Sequence, residues 1–315
     1  MYIGVDVGGT NLVAALTDAS GNIANKVSCP VNKSWSAEET SFQITQLARR
    51  AAITGNCAPE KIEAVGIGFP GLVDNKTGYV IKTPNMSFNN TPFRTLFQAE
   101  WDVPVYLGND ANCAAIGEYW AGAAKGCDPA VVITLGTGIG GGFIANQKLL
   151  TGFANSGMEV GHMIIHPNGF PCGCGNHGCW EQYGSATALI RMTKEAMAQS
   201  ASSILWALCD GDISKVQGKT TFQAAELSDS VAQKVLDTYL DGLALGLANL
   251  VNILQPEIIC LGGGISHASE NLLLNPLREL VKQNVFDKKV PLRIEQAALG
   301  NDAGVIGAAM LCNMV

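Results

Sequence analysis

The sequence predicts an α/β protein built from two similar halves, and three observations support this. Short apolar runs are followed by glycine-rich clusters at Gly8-Gly9, at residues 136–142 and at residues 262–264. Apolar strands alternate with amphipathic helices between these clusters, which is the pattern of a sheet covered by helices. The length of 315 residues allows two domains with a sizeable buried core.

The predicted strands are short apolar runs that end at glycine or another turn residue. They are Tyr2–Val7, Ile62–Gly68, Val103–Leu107, Ala130–Leu135 and Ile258–Leu261. The predicted helices are longer and lie between or after these strands. They are residues 111–124, 185–198, 229–254 and 303–311. The helix at 111–124 is rich in alanine and nearly uncharged, so we expect it to be buried.

A weak internal repeat supports the duplication. The segments IGVDVGGTNLVAALTD and VVITLGTGIGGGFIAN each contain a strand, a glycine-threonine turn and a second strand. Such turns bring backbone N–H groups against phosphate oxygens without obstruction by side chains. Tight structural hairpins are the alternative. Three clusters in one chain, two of which carry threonine, favour phosphate binding. The domain boundary is expected near residues 111–130.

Charge and hydropathy exclude several classes of protein. The formal net charge of −7 and the pI near 5.1 disfavour nucleic-acid binding, which needs a basic surface. The N-terminus lacks the basic and apolar regions of a signal peptide. The most apolar later stretch, residues 242–255, is too short for a membrane span and carries Asn249 and Asn252. We therefore expect a cytoplasmic protein that binds neither nucleic acid nor membrane.

A metal site is predicted in the segment Gly157–Glu181. Cys172, Cys174 and Cys179 are spaced to converge on one ion, with His162 as a nitrogen ligand. Three sulfurs and one imidazole complete a tetrahedral structural zinc site. Buried thiols or disulfides are the alternatives, although ten cysteines in this length are too few for a disulfide scaffold. His166 or His177 could replace His162.

Two carboxylates follow or lie within strands. Asp110 comes after Val103–Leu107 and could cap the next helix or act as a general base, with Asn109 orienting the substrate hydroxyl. Asp6 lies within the first strand, where an unpaired carboxylate is costly to bury. Magnesium, held through water together with substrate phosphates, would be its partner. A hydrogen-bonded turn aspartate is the structural alternative.

Two further carboxylates flank the metal ligands. Glu159 and Glu181, together with the second ring nitrogen of His162, offer donors and acceptors that suit a polyol. A glycosidase could use a pair of glutamates as acid and nucleophile. Phosphoryl transfer accounts for the glycine turns as well, and is therefore preferred.

With these residues identified, the chain resembles the ROK family (repressor, open reading frame, kinase), and within it the glucokinase-like sugar kinases. The resemblance extends nearly from end to end. The motifs that carry it are DVGGTN, GIGFPGLVD, TPNMSFNNTPF, GNDAN, TLGTGIGGGF, MEVGHM, CGCGNHGCWEQYGS, LGGGIS and LGNDAGVIGAA. Asn11 stands where many relatives have lysine, and Phe88 stands where tryptophan is frequent.

The resemblance implies two actin-like (ribonuclease H-like) α/β domains with a cleft between them. The first would span residues 1–115 together with a C-terminal helix at about 300–315, and the second, which holds the zinc loop, residues 116–299. It further implies a homodimer or homotetramer that transfers phosphate from ATP, with Mg²⁺, to the 6-hydroxyl of a hexose, with glucose preferred. The alternatives are N-acetylglucosamine, N-acetylmannosamine, fructose, mannose or allose as substrate. A sugar-sensing repressor is expected to need a preceding DNA-binding segment, for which the first strand at Tyr2 leaves no room.

Roles for individual residues follow from the resemblance. Asp110 would be the base, and Asp6 would hold magnesium through water. The sugar ligands would be Gly71, Asn109, Glu159, His162 and Glu181. The ATP ligands would be Gly8, Gly9, Thr10, Asn11, Thr137, Gly138, Gly262, Gly263 and Gly264. His162, Cys172, Cys174 and Cys179 would bind structural zinc.

Overall fold

The computed structural model describes residues 1–84 and 86–314. Asn85, in the predicted sugar-side loop, and Val315, at the end of the predicted C-terminal helix, lie outside the described residues. The strands are β1 (Tyr2–Val7), β2 (Asn11–Thr17), β3 (Ile23–Pro30), β4 (Ala64–Phe69), β5 (Leu72–Asp74), β6 (Tyr79–Lys82), β7 (Val105–Asn109), β8 (Ala130–Leu135), β9 (Ile139–Ala145), β10 (Lys148–Leu149), β11 (Ile258–Gly262) and β12 (Arg293–Gln296).

Four helices match the predicted segments closely, and the structure contains others that were not predicted. The helices are α1 (Ala37–Thr54), α2 (Phe93–Glu100), α3 (Asp110–Ala121), α4 (Glu181–Gly184), α5 (Ala186–Ala198), α6 (Leu205–Leu208), α7 (Gly218–Glu226), α8 (Ser230–Leu254), α9 (Leu274–Asn284) and α10 (Ala303–Met310). Among the described residues, none of these helices combines the length and the apolar character that crossing a membrane requires.

Two five-stranded sheets have the same strand order. The first is β3-β2-β1-β4-β7 and the second is β10-β9-β8-β11-β12. In the first sheet β1 pairs antiparallel with β2 and parallel with β4, which in turn pairs parallel with β7. In the second sheet β9 and β10 are antiparallel, and β11 and β12 are parallel. The predicted duplication and the α/β class are therefore confirmed.

Contacts within the chain divide it into two compact units. Unit 1 contains Met1–Val132, Gly141–Met158 and Ala297–Val315, and unit 2 contains Ile133–Gly140 and Glu159–Gln296. The domain limits that the sequence suggested, near residues 115 and 300, stay a prediction.

The core of unit 1 forms between the first sheet and helices α1 and α2. Alternate residues of β1 and β2 are fully buried there, together with the apolar face of α1 and one residue of β7. They include Ile3, Val5, Leu12, Leu16, Ile44 and, from β7, Leu107. Helix α1 begins with a capping box, in which Ser36 accepts a hydrogen bond from the backbone N–H of Glu39 and the Glu39 side chain accepts one from the backbone N–H of Ser36.

Helix α10 returns the end of the chain to the first sheet. A Cβ atom at Gly4 of β1 would overlap the carbonyl oxygen of Val305, and one at Gly66 of β4 would overlap that of Ala308. The two glycines therefore let the backbone of α10 lie directly on the strands. This contact places residues 303–310 in the same unit as the N-terminal strands.

The core of unit 2 is organised around the long helix α8. Its N-cap, Asp229, accepts hydrogen bonds from the backbone N–H groups of Val231 and Ala232 and also from Ser203 and Ile204. The fully buried Tyr239 of α8 donates its hydroxyl hydrogen to the carbonyl oxygen of Gly184. Helix α8 is thereby fixed to the segment that follows the predicted metal ligands.

Candidate active site

The junction of β7 and α3 presents the Asp110 carboxylate. Asn109 has an extended backbone, and its Oδ1 accepts a hydrogen bond from the backbone N–H of Asn112 at 3.1 Å. Asn109 is therefore the N-cap, and the interpretation of Asp110 as the cap is wrong, because Asp110 is already the first helical residue. Asp110 is exposed, and its Oδ1 accepts from the N–H of Ala111 at 2.9 Å.

Asn109 also holds the loop that follows β4. Its Nδ2 donates to the carbonyl oxygen of Gly71 at 2.9 Å. Gly71 has a φ of +99°, and a Cβ there would overlap the carbonyl oxygen of Lys82. The structure therefore brings Asn109 and Gly71, both predicted sugar ligands, into direct contact.

Asp6 lies on β1, opposite Gly68 of the neighbouring strand β4. Burial, together with the negative charge of Asp110, raises the pKa of Asp6 to about 6. The two carboxylates therefore lie close enough to interact. Gly304, at the start of α10, faces the Asp6 carboxyl group, whose Cγ lies 3.3 Å from the position that a Cβ would occupy.

Cys113 is a neighbour of this carboxylate pair that the sequence interpretation missed. Its thiol is buried, and burial together with the charges of Asp6 and Asp110 raises its pKa well above the usual range. The available signal was its position three residues after Asp110, because residues i and i+3 share a helix face.

The first glycine turn joins β1 to β2 in unit 1. The N–H of Gly8 donates to the carbonyl oxygen of Asn11 at 3.0 Å, which closes the turn. Gly9, Thr10 and Asn11 are exposed at its tip. The turn can therefore offer backbone N–H groups to an anion.

The other two glycine turns meet within unit 2. The N–H of Gly136 donates to the carbonyl oxygen of Gly138 at 3.0 Å, with Thr137 exposed between them. Gly263 has a φ of +90°, and a Cβ there would overlap the carbonyl oxygen of Leu135. Gly263 therefore has to be glycine, and it holds the turn at residues 262–264 against the end of β8.

Four predicted metal ligands converge in unit 2. The ligand atoms of His162, Cys172, Cys174 and Cys179 all lie within 4.8 Å of one another. The His162 Nδ1 lies 3.6 Å from the Cys172 Sγ, and the sulfurs of Cys174 and Cys179 are also 3.6 Å apart. This set of donors can hold one metal ion. All ten cysteines are free thiols, so the disulfide alternative is wrong.

Neither spare histidine joins this group. The ring of His166 packs against Tyr183 with 4.4 Å between centroids. His177 is exposed, and its backbone forms a bridge with Pro171 that closes the loop. Within the described part of the chain, the candidate metal group therefore contains His162, as predicted.

Trp180 anchors the loop that carries these ligands. Its side chain is fully buried, and its indole N–H donates to the carbonyl oxygen of Gly242 in α8 at 3.0 Å. A Cβ at Gly246 would overlap the Trp180 ring, so a glycine there gives the ring its place. The backbone N–H of Trp180 donates to the carbonyl oxygen of Met163 at 2.8 Å, which joins the two arms of the loop.

Glu181 connects the ligand group with the second glycine turn. Its Oε1 accepts from the Cys172 thiol at 3.0 Å and lies 3.8 Å from the His162 Nδ1. A Cβ at Gly138 would overlap its other oxygen. Glu159 is exposed and begins the short 3-10 turn that carries His162, whose N–H donates to the Glu159 carbonyl oxygen at 3.0 Å.

Two α/β units with mixed sheets of one strand order and glycine turns at the strand ends are typical of the actin-like (ribonuclease H-like) class of fold. The ROK family pattern matches residues 2–314, and the chain belongs to the ROK family. The predicted family and fold class are therefore confirmed.

Several known proteins are similar to this chain over nearly its whole length. A glucokinase of Thermotoga maritima is 38% identical over 98% of this chain and 96% of its own. A crystal structure of a ROK family glucokinase from Streptomyces griseus in complex with glucose and AMPPNP is 36% identical, with a TM-score of 0.80 over 98% of each chain. A xylose repressor of Caldicellulosiruptor bescii is 30% identical over 97% of this chain and 76% of the repressor.

The raised pKa of Asp6 predicts a pH dependence of stability. Between its ordinary value of 3.8 and about 6, the folded chain binds this proton more tightly than the unfolded chain does. Stability is therefore lost as pH rises through this window, and above it the charge of Asp6 costs about 3 kcal/mol. In buffer with a chelator, we expect Asp6→Asn to melt at a higher temperature than the wild type at about pH 7.5, and at a similar temperature at about pH 4.

Asp102→Asn, at an exposed aspartate, is the matched control for the Asp6 experiment. It should follow the wild type at both pH values. Equal melting temperatures of Asp6→Asn and wild type at both pH values would contradict the raised pKa.

Proposed function

We propose that the protein transfers the γ-phosphoryl group of ATP to the 6-hydroxyl of glucose. The observation that carries the proposal is the exposed Asp110 carboxylate at the start of α3, which interacts with the partly buried Asp6. The full-length similarity to glucokinases, one of them with glucose and AMPPNP bound, supports the ATP-dependent phosphorylation of glucose.

Asp110 is the proposed general base. An exposed carboxylate at a helix start can accept the proton of the attacking hydroxyl as the new oxygen–phosphorus bond forms. Asn109 keeps one amide hydrogen and one lone pair beyond its bonds to Gly71 and Asn112, and these can orient the hydroxyl. The carbonyl and N–H groups of Gly71 add a backbone contact for the sugar.

Glu159, His162 and Glu181 are the proposed ligands of the other hydroxyls. The Nδ1 of His162 faces the sulfur of Cys172, which leaves Nε2 for a substrate oxygen. Glu181 has one oxygen near the ligand group and the other near Gly138. Carboxylates at these positions can accept hydrogen bonds from sugar hydroxyls.

The three glycine turns are the proposed ATP ligands. Gly8, Gly9, Thr10 and Asn11 form one turn, Thr137 and Gly138 belong to the second, and Gly262, Gly263 and Gly264 form the third. Backbone N–H groups at such turns bind phosphate oxygens. Asp6 fits a magnesium ligand, because burial raises the pKa of its carboxyl group and a nearby cation would favour the ionised form. When bound, magnesium neutralises phosphate charge.

Zinc is the proposed ion of the Cys172, Cys174, Cys179 and His162 group. Three sulfurs and one nitrogen within 4.8 Å fit a closed tetrahedral site. Burial raises the pKa of Cys172 and Cys179, so zinc binding has to release their protons. Because such thiolates need a reducing compartment, we also propose a cytoplasmic location.

Other functions remain as alternatives to be tested. N-acetylglucosamine, N-acetylmannosamine, fructose, mannose or allose could be the substrate, because the geometry of a single hydroxyl decides such selectivity. The similarity to the xylose repressor keeps a sugar-sensing role as the second candidate. We further propose a homodimer or homotetramer, which light scattering after gel filtration would test.

We expect glucose to give the highest kcat/KM in a panel of these hexoses, measured by coupling ADP release to an optical assay. Preference for another hexose would reassign the substrate. Binding of a sugar, seen as a raised melting temperature, without turnover of any hexose would favour the sensor role.

Asp110→Asn should lower kcat by about 10²- to 10⁴-fold, because it removes the proposed base. Its folding and its affinity for glucose, measured by calorimetry, should change little, since the side chain is exposed. Asp102→Asn is again the control. Near-normal turnover of the Asp110 variant would remove this residue from the mechanism.

Metal analysis of the purified protein should find about one zinc per chain, as a closed four-ligand site requires. Cys179→Ser should lose this metal and raise the KM for glucose, because the same loop carries Glu181. Cys29→Ser, at a cysteine of β3, should retain both. Metal-free wild-type protein with normal kinetics would show that the four side chains are ordinary thiols and a histidine.

A further inference from the structure

Glu118 is a buried carboxylate on the helix that begins with Asp110. Its side chain is fully buried. Its Oε2 accepts hydrogen bonds from the backbone N–H groups of Ala123 at 2.8 Å and Ala298 at 3.0 Å, and its Oε1 accepts one from Leu299 at 2.8 Å. The residue thus ties α3 to a segment 180 residues away in the sequence.

The Glu118 charge is balanced by peptide groups. Within residues 1–84 and 86–314, no lysine, arginine or histidine forms an ion pair with Glu118. A buried carboxylate is unfavourable unless its oxygens are well satisfied, and hydrogen bonds to a charged acceptor are stronger than neutral ones. The three N–H groups are therefore held firmly in one geometry.

Two of these N–H groups belong to residues that lie just before α10 in the sequence. Ala298 and Leu299 precede the short 3-10 turn at Gly300–Asp302, and α10 begins at the next residue. Glu118 therefore fixes the point at which α10 starts relative to α3.

The position of α10 in turn sets the spacing of the two carboxylates in unit 1. A Cβ at Gly307 would overlap the carbonyl oxygen of Cys113, so α10 lies directly against the backbone of α3. Its Gly304 faces the Asp6 carboxyl group. Helix α10 therefore lies between α3, which carries Asp110, and β1, which carries Asp6. Because these backbones are closely packed, a small shift of α10 moves the elements on either side of it.

We propose that Glu118 is a positioning residue for phosphoryl transfer. It holds α10 at the spacing that keeps Asp110 in place beside Asp6, and it acts through Asp110 without touching the substrate. This inference rests on the proposed role of Asp110 as base.

The test is a double-mutant cycle with Glu118→Gln and Asp110→Asn. Glutamine keeps the shape but turns an N–H donor toward backbone N–H groups, so α10 loses its fixed start. We expect kcat to fall by about 10- to 100-fold, as a displacement of about 1 Å causes, with a glucose KM that changes less than about 3-fold. In the Asp110→Asn background, Glu118→Gln should have little further effect on kcat.

Two further variants make the experiment decisive. Lys26→Met removes an exposed ion pair between β3 and Asp302, which lies in the turn that precedes α10. It should leave kcat unchanged, because exposed ion pairs contribute little. Gly122→Ala places a Cβ against the Glu118 carboxylate and keeps its charge. Gly122→Ala should lower kcat by at least about 3-fold. It replaces Glu118→Gln in the double-mutant cycle if circular dichroism shows that Glu118→Gln is unfolded.

The outcomes separate the two proposals. If Asp110→Asn retains normal turnover, the proposed base is wrong. If Asp110→Asn loses turnover but the Glu118 and Gly122 variants keep theirs, the positioning role is wrong and Glu118 only stabilises the fold. Multiplicative losses in the double variant would likewise overturn it, because they would show that Glu118 acts independently of Asp110.

Discussion

Helix α10 approaches β1, β4 and α3 so closely that their backbones touch, and the arrangement of unit 1 depends on this contact. Glycines at positions 4 and 66 of the strands and at 307 of the helix leave no side chain between the layers. Any Cβ at these positions would overlap a carbonyl oxygen, so the fold can be kept only with glycine there. Helix α10, near the end of the chain, thereby packs against the Asp6 carboxyl group.

Asp6 places a carboxylate on a largely buried strand, behind which α10 lies. Burial raises the pKa of Asp6, so its charge weakens the fold unless a cation is present. A group that lowers stability but lies beside another carboxylate is typical of a functional site. In the proposed phosphoryl transfer, magnesium together with the phosphates of ATP would supply a cationic partner for Asp6.

In unit 2, the loop that carries the predicted metal ligands has to be held in place without a core of its own. Residues 163–180 contain little regular structure, and they are held by a few backbone bridges and by the buried Trp180. A metal bound by four side chains would replace the hydrophobic core that so short a loop cannot form. Glu181 follows directly, so rigidity of the loop would become rigidity of a proposed sugar ligand.

Much of the fold and of the metal group followed from the sequence alone. Strand ends were marked by glycine, as at Gly8, and the ligands between His162 and Cys179 were recognisable because their spacing and chemistry are local. Tertiary structure decided what depends on distant segments. Asn109 proved to be the cap instead of Asp110, since the backbone at the strand end selects it. Cys113 and Glu118 acquire their surroundings from Asp6 and from residues 298–299, and no local pattern contains those contacts.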